Sequence, residues 1–122
     1  MEQKDNLIQS LTYAFALKSI ELYRFLSEEK KEFILSKQFL RSATSIGANV
    51  EEAIGWQSKK DFIAKLSISQ KEARETYYWI KLLKDSKYVD ASIFQEREQE
   101  LLSILKILTK IITTSKQSIH NQ

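Results

Sequence analysis

Residues 37–80 read KQFLRSATSIGANVEEAIGWQSKKDFIAKLSISQKEARETYYWI, and this stretch decides the fold. With Leu35 just ahead of it, Phe39, Ala43, Ile46, Val50 and Ala53/Ile54 recur at steps of three and four. That is the spacing of one helical face. A joint follows at Trp56, Gln57 and Ser58. Beyond it Phe62, Leu66, Ser69, Ala73, Thr76, Ile80 and Leu83 form a heptad-like seam, the pattern of a helix packed lengthwise on others. Gly55 is a candidate stop for the first of these helices. Ser58 with Asp61 three residues on is close to a capping box for the second.

The same alternation extends outward on both sides. Upstream, Leu7, Leu11, Phe15, Leu22 and Phe25/Leu26 predict a helix over about 5–30, with Asp5 and Asn6 as candidate N-caps. The charged residues 27–32 read as its solvated connection to a helix over about 34–55. Downstream, the helix over about 58–85 ends at a connector, residues 86–89. A last helix starts at Asp90 and runs to about 115 on Phe94, Leu101, Leu105, Leu108 and Ile112, leaving a frayed polar tail from 116. Leu102, Ile104, Ile107 and Ile111 widen that stripe beyond one face, which argues that the excess is buried in a symmetric homo-oligomer. Four helices joined by short connectors imply an up-down-up-down antiparallel four-helix bundle, a single all-α domain over 1–122.

Composition agrees. The 122 residues include two Gly, no Pro and no Cys, so helix breakers, disulfides and thiolate metal sites are absent. No leader pattern and no long apolar run stands in the sequence, so the expected setting is the cytoplasm, with no membrane partner. The net charge is +3 and the pI near 9.0, a mild excess with acids interspersed.

Enzymatic readings find little to stand on. The one histidine, His120, lies in the tail. No catalytic residue, metal ligand set, cofactor motif or small-molecule substrate is expected. Glu51, Glu52, Glu72 and Glu75 could be drawn as an oxygen-ligand cluster, but ordinary helix charges explain them, with Lys71 pairing Glu75 at i,i+4. Two features ask for more. Beside the apolar stripe of the second helix run Gln38, Ser42, Ser45, Asn49 and Glu52. Small polar residues at this period let helices approach closely, with Gln70 and Arg74 as candidate partners across the seam; a ligand-binding face is the alternative. The third helix and its edge carry Lys59, Lys60, Lys65, Lys71, Arg74, Lys81, Lys84 and Lys87, with Tyr77, Tyr78 and Trp79 among them. Cations interleaved with rings suit nucleic acid, although such rings more often pack in a core or interface.

The pattern Gln38, Arg41, Ser42, Ala43, Ser45, Ile46, Asn49, Val50 and Glu52, followed by Ser58, Asp61 and Phe62, resembles the four helix bundle protein family. These are small bacterial proteins first noted as open reading frames in intervening sequences of 23S ribosomal RNA genes. The likeness is densest from Glu32 to Leu83. It implies a left-turning antiparallel bundle that assembles into a homopentamer. It also implies kinship with the accessory proteins of diversity-generating retroelements, basic pentamers that bind nucleic acid and a reverse transcriptase. Arg41, Ser42, Ser45, Asn49 and Glu52 match the family's motif position by position. Many members carry Ala-Glu-Gly and then an Arg after the Asn, where this chain has Glu51, Glu52, Ala53 and later Trp56, which weakens anion binding at that turn. The reading that follows is a non-enzymatic homo-oligomeric scaffold, with RNA or a ribonucleoprotein as ligand and Lys59, Lys60, Lys65, Lys71, Arg74 and Lys81 supplying the charge. A purely structural or protein-interaction assembly is the alternative.

Overall fold

The computed structural model describes residues 3–55 and 58–120 and resolves them into four helices: α1 (Gln3–Glu28), α2 (Leu35–Gly55), α3 (Lys59–Asp85) and α4 (Ala91–His120). Each helix packs on its neighbours in chain order, and α4 returns to α1. Among the described residues the backbones of the diagonal pairs do not approach each other closely. This is the up-down-up-down antiparallel bundle. The expected joint residues Trp56 and Gln57 lie outside the described residues.

The core is one continuous column. Phe39, Ala43, Ile46 and Val50 of α2 meet Leu66, Ala73, Ile80 and Leu83 of α3, and Leu101, Ile104 and Leu108 of α4 close the far side. The seam expected on α3 is the one observed, with Leu66, Ser69, Ala73, Thr76, Ile80 and Leu83 buried.

The register of α1 differs from the expectation. Its buried positions are Ile8, Thr12, Phe15, Ser19, Leu22 and Leu26, whereas Leu7 is 47% exposed and Phe25 40%. Two hydroxyls hold places in this seam. Thr12 donates to the Ile8 carbonyl at 2.8 Å and Ser19 to the Phe15 carbonyl at 2.8 Å, so neither needs a partner on another helix. Thr12 also lies against Gly47, where an added Cβ would stand 3.3 Å from its Oγ1. Small residues on both sides let α1 and α2 approach closely.

The helix ends follow local chemistry. The backbone of α1 is helical from Gln3, so Asp5 and Asn6 fall inside its first turns rather than ahead of it. α1 and α3 each close with a backbone N–H turned back onto the last helical turn. Glu32 N–H donates to the Leu26 carbonyl at 2.9 Å, and Val89 N–H to the Leu83 carbonyl at 3.2 Å. In each case a lysine takes the left-handed position, Lys31 at φ 56° and Lys87 at φ 74°, where glycine is usual. Ser58 caps α3 by accepting from Asp61 N at 3.1 Å while its hydroxyl donates to the Asp61 carboxylate at 2.7 Å. Asp90 caps α4 by accepting from Ile93 N at 2.8 Å.

Two expectations about the connections and the tail fail. Glu32 is not solvated: it is 8% exposed and accepts from the backbone N–H groups of Ile34, Leu35 and Ser36 at 3.1, 3.0 and 2.7 Å. It thereby satisfies the free donors that open α2. The chain from 116 to 120 remains helical, because Ser115 is still buried and α4 runs to His120. The wide apolar arc of α4 is also absorbed within the chain: Ile104, Ile111 and Ile112 are buried, and Leu102 alone of the arc is exposed, at 57%. The exposed apolar residues gather elsewhere, at Leu7, Tyr13, Leu17 and Phe25 of α1 and at Phe33 and Ile34 after it. No helix among the described residues is long and apolar enough to cross a membrane.

Candidate functional site

The polar stripe of α2 is a packing seam. Ser42 is fully buried, its oxygen 3.0 Å from Thr76 Oγ1 of α3. Ser45 donates to the Arg41 carbonyl at 2.7 Å, and Asn49 to the Ser45 carbonyl at 2.8 Å. From the facing helix, Ser69 donates to the Ile46 carbonyl at 2.8 Å. At the rim Lys65 pairs with Glu52 at 3.2 Å, and Gln38 is exposed. Of the motif residues, Arg41, Ser42 and Glu52 join α2 to α3, whereas Ser45 and Asn49 bond only within α2. Their partners are not Gln70 and Arg74, which lie one position round the helix. Gln70 instead donates to Thr109 of α4 at 2.8 Å, and Arg74 stands beside Tyr77, Glu98 and Leu102 at the α3–α4 side.

Glu52, Glu72 and Glu75 are spent in the same seam. Arg41 reaches across from α2 to Glu75, and to Glu72 at 3.8 Å. Glu75 also accepts from Trp79 Nε1 at 3.2 Å. Glu51 accepts from Gln9 at 2.8 Å. Glu72 and Glu75 thus share Arg41, Glu51 and Glu52 have partners of their own, and no group of three metal-binding side chains occurs among the described residues. The expected Lys71–Glu75 pair does not form, because Arg41 holds Glu75.

With Glu72 and Glu75 drawn toward α2, the outward face of α3 keeps its cations. Lys60, Lys71, Arg74 and Lys81 are all exposed and make no ion pair among the described residues. The spacing of the last three, at i, i+3 and i+10, places them in one stripe about 15 Å long. Tyr78 stands within it, 56% exposed, its ring edge-on to Trp79 with centroids 5.1 Å apart. Two of the six expected residues diverge. Lys59 turns toward α4, where its Nζ donates to Ser118 at 3.2 Å, and Lys65 turns toward α2. Of the three aromatics, Tyr77 is half-buried against Phe94 and donates to Glu98 at 3.1 Å. That hydrogen bond and its burial push the Tyr77 phenol above its usual value. A stripe of cations around an exposed ring can take phosphates by charge and a base by stacking.

A buried cation was not visible in the sequence. Arg97 is 8% exposed in the α1–α4 seam. Its Nε lies 2.6 Å from Glu100, which Lys18 of α1 also meets at 2.6 Å. The α4 register, which places Arg97 on the buried face between Phe94 and Leu101, puts it inside.

Comparison with known proteins gives a family and no activity. A model of the 23S rRNA-intervening sequence protein family matches residues 4–110. A crystal structure of a protein of unknown function from the S23 ribosomal protein family of Bacteroides thetaiotaomicron is 45% identical, covers 91% of this chain and 99% of its own, and superposes with a TM-score of 0.90. No curated protein matches. A family model spanning most of the chain, together with a near-complete structural match, places it: the chain belongs to the 23S rRNA-intervening sequence protein family.

Proposed function

We propose that this protein is a non-enzymatic, homo-oligomeric helical scaffold of the cytoplasm that binds RNA, or a ribonucleoprotein, through the outer face of α3. The observation that carries this reading is the segregation of charge on that helix. Arg41 draws Glu72 and Glu75 into the α2 seam, and Lys71, Arg74 and Lys81 are left without an ion pair among the described residues around the exposed Tyr78. Oligomers repeat a weak patch and so enlarge its field.

The test is a titration of the purified chain with a structured RNA at low and at physiological salt. Binding that weakens steeply with salt supports the reading, since each phosphate contact adds about 0.9 to the logarithmic slope. The triple change Lys71→Glu, Arg74→Glu and Lys81→Glu should abolish this binding and leave helix content unchanged. Absence of binding even at low salt would sink the proposal.

The second reading, a structural or protein-interaction assembly, is favoured by the exposed apolar residues of α1 and its connector. Retention of the same cellular partners by the triple variant would favour it.

A further inference from the structure

At the end of the bundle where α1 and α3 stop and α4 begins lies a cleft of about 520 Å³. Ligand pockets commonly hold about 300–1,000 Å³. Three lysines line it, Lys30, Lys84 and Lys87, together with the rings of Phe25 and Tyr88. Phe25 is 40% exposed, and the Lys30 ammonium sits 5.7 Å above its ring. Lys84 is partly engaged, 3.4 Å from Asp85 and 4.4 Å above Phe94. Lys30 and Lys87 have no ion-pair partner among the described residues. Lys87 also holds left-handed backbone, where a lysine is less favourable than a glycine.

The walls constrain the ligand. Three ammonium groups attract an anion, but Asp85 and Asp90 also line the cleft, so a ligand anionic throughout is disfavoured. Asp90 already caps α4 through one oxygen, leaving acceptor capacity on the other. The fitting ligand is anionic at one end, flat enough for an aromatic wall, and rich in hydroxyl or N–H donors between. We propose that this cleft binds a nucleoside 5′-phosphate, either free or as an unpaired nucleotide of an RNA. The phosphate meets Lys30 and Lys87 with Lys84 beside them. The base lies against Phe25 or Tyr88, and the carboxylates accept from the sugar hydroxyls.

The test is a titration of the isotope-labelled full chain, followed by amide NMR, with adenosine 5′-monophosphate, inorganic phosphate and adenosine in parallel. The nucleotide should give saturable shifts confined to residues 25–31 and 84–93. Phosphate alone and adenosine alone should each bind at least about tenfold more weakly. The double variant Lys30→Glu, Lys87→Asn should weaken nucleotide binding about tenfold at unchanged melting temperature, since asparagine tolerates the left-handed backbone. Three results would overturn the proposal: no saturable shift, phosphate binding as tightly as the nucleotide, or an unaffected double variant. A short single-stranded RNA that displaces the nucleotide identifies the source as an RNA chain, and failure to displace identifies free nucleotide; either supports the cleft. The α3 triple variant separates the two proposals, because it should keep nucleotide binding whether or not the wild-type outer face binds RNA.

Discussion

Lys31 and Lys87 sit where two helices turn out of their last turns, both in left-handed backbone. An L-residue there costs roughly 1–2 kcal/mol that glycine avoids, although glycine also loses more chain entropy on folding. Each change to glycine should therefore raise stability by about 0.5–1 kcal/mol in urea unfolding. For Lys87→Gly the gain should come with weaker nucleotide binding, whereas Lys31→Gly should leave binding intact, as Lys31 is outside the cleft. Glu32, next in the chain, makes the opposite case of a side chain that supports the fold. Burial disfavours its charge, but the backbone N–H groups of Ser36, Leu35 and Ile34 outweigh that and hold the carboxyl below its ordinary 4.5. A lowered folded pKa means that the unfolded chain takes up the proton first. The contribution is complete above about pH 4.5 and is lost as pH falls through the depressed value. Glu32→Gln should flatten the acid limb of the stability–pH curve and cost about 1 kcal/mol at neutral pH, the usual scale for a lost cap. An unchanged acid limb would show that the carboxylate is not held as described.

Between elements, the α2–α3 pair makes the most extensive contact in the bundle, and the small buried residues explain why. Ser42, Ala43 and Ala53 on one side face Ser69, Ala73 and Thr76 on the other. Ser69→Leu should force these helices apart and cost about 1–3 kcal/mol, the range for overpacking, while Ser69→Ala should cost about 1 kcal/mol for the lost bond to Ile46. If the two changes cost the same, close approach is not what Ser69 provides. This seam was legible from sequence because its period is regular and its residues are either apolar or small. The α1 register was not. Its seam contains Thr12 and Ser19, which a hydrophobic count skips, and the exposed Leu7 and Phe25 drew the stripe onto a neighbouring face. Glu32 was hidden for a related reason: in a run of charges nothing marks the one that turns inward. Site residues were legible as types but not as placements. Lys59 and Lys65 belong to the same basic helix as Lys71, yet a rotation of the helix sends them to α4 and α2.

Over the whole molecule, the surface divides by chemistry in a way that the mild net charge conceals. The outer face of α3 is cationic around Tyr78, and most of the exposed apolar residues lie on α1 and the connector after it, with Ile68 and Leu102 apart from them. Tyr13 is 66% exposed and Leu17 49%, four residues apart on adjoining turns, with Ile34 at 76% beyond the helix end. A fully buried leucine is worth about 1.5–3 kcal/mol relative to an exposed one, so a chain that leaves this set in water forgoes a gain available from association. The wide arc of α4 does not supply that drive, since its own neighbours already cover it. If the chain self-associates, as proposed above, α1 is the surface that must be covered. Sedimentation should then find the wild-type chain as a closed oligomer at micromolar concentration, and Tyr13→Glu with Leu17→Glu should convert it to monomer at unchanged helix content, since neither residue belongs to the core. The α3 triple variant should remain assembled, because its cations lie away from that face. A wild-type monomer, or a double variant that sediments as the wild type does, would remove α1 as the assembly surface. Assembly through α1 leaves the outer face of each α3 pointing away from the contact, so one closed ring would present several cationic stripes at once, and RNA affinity in the monomeric variant should fall although no cation has been changed.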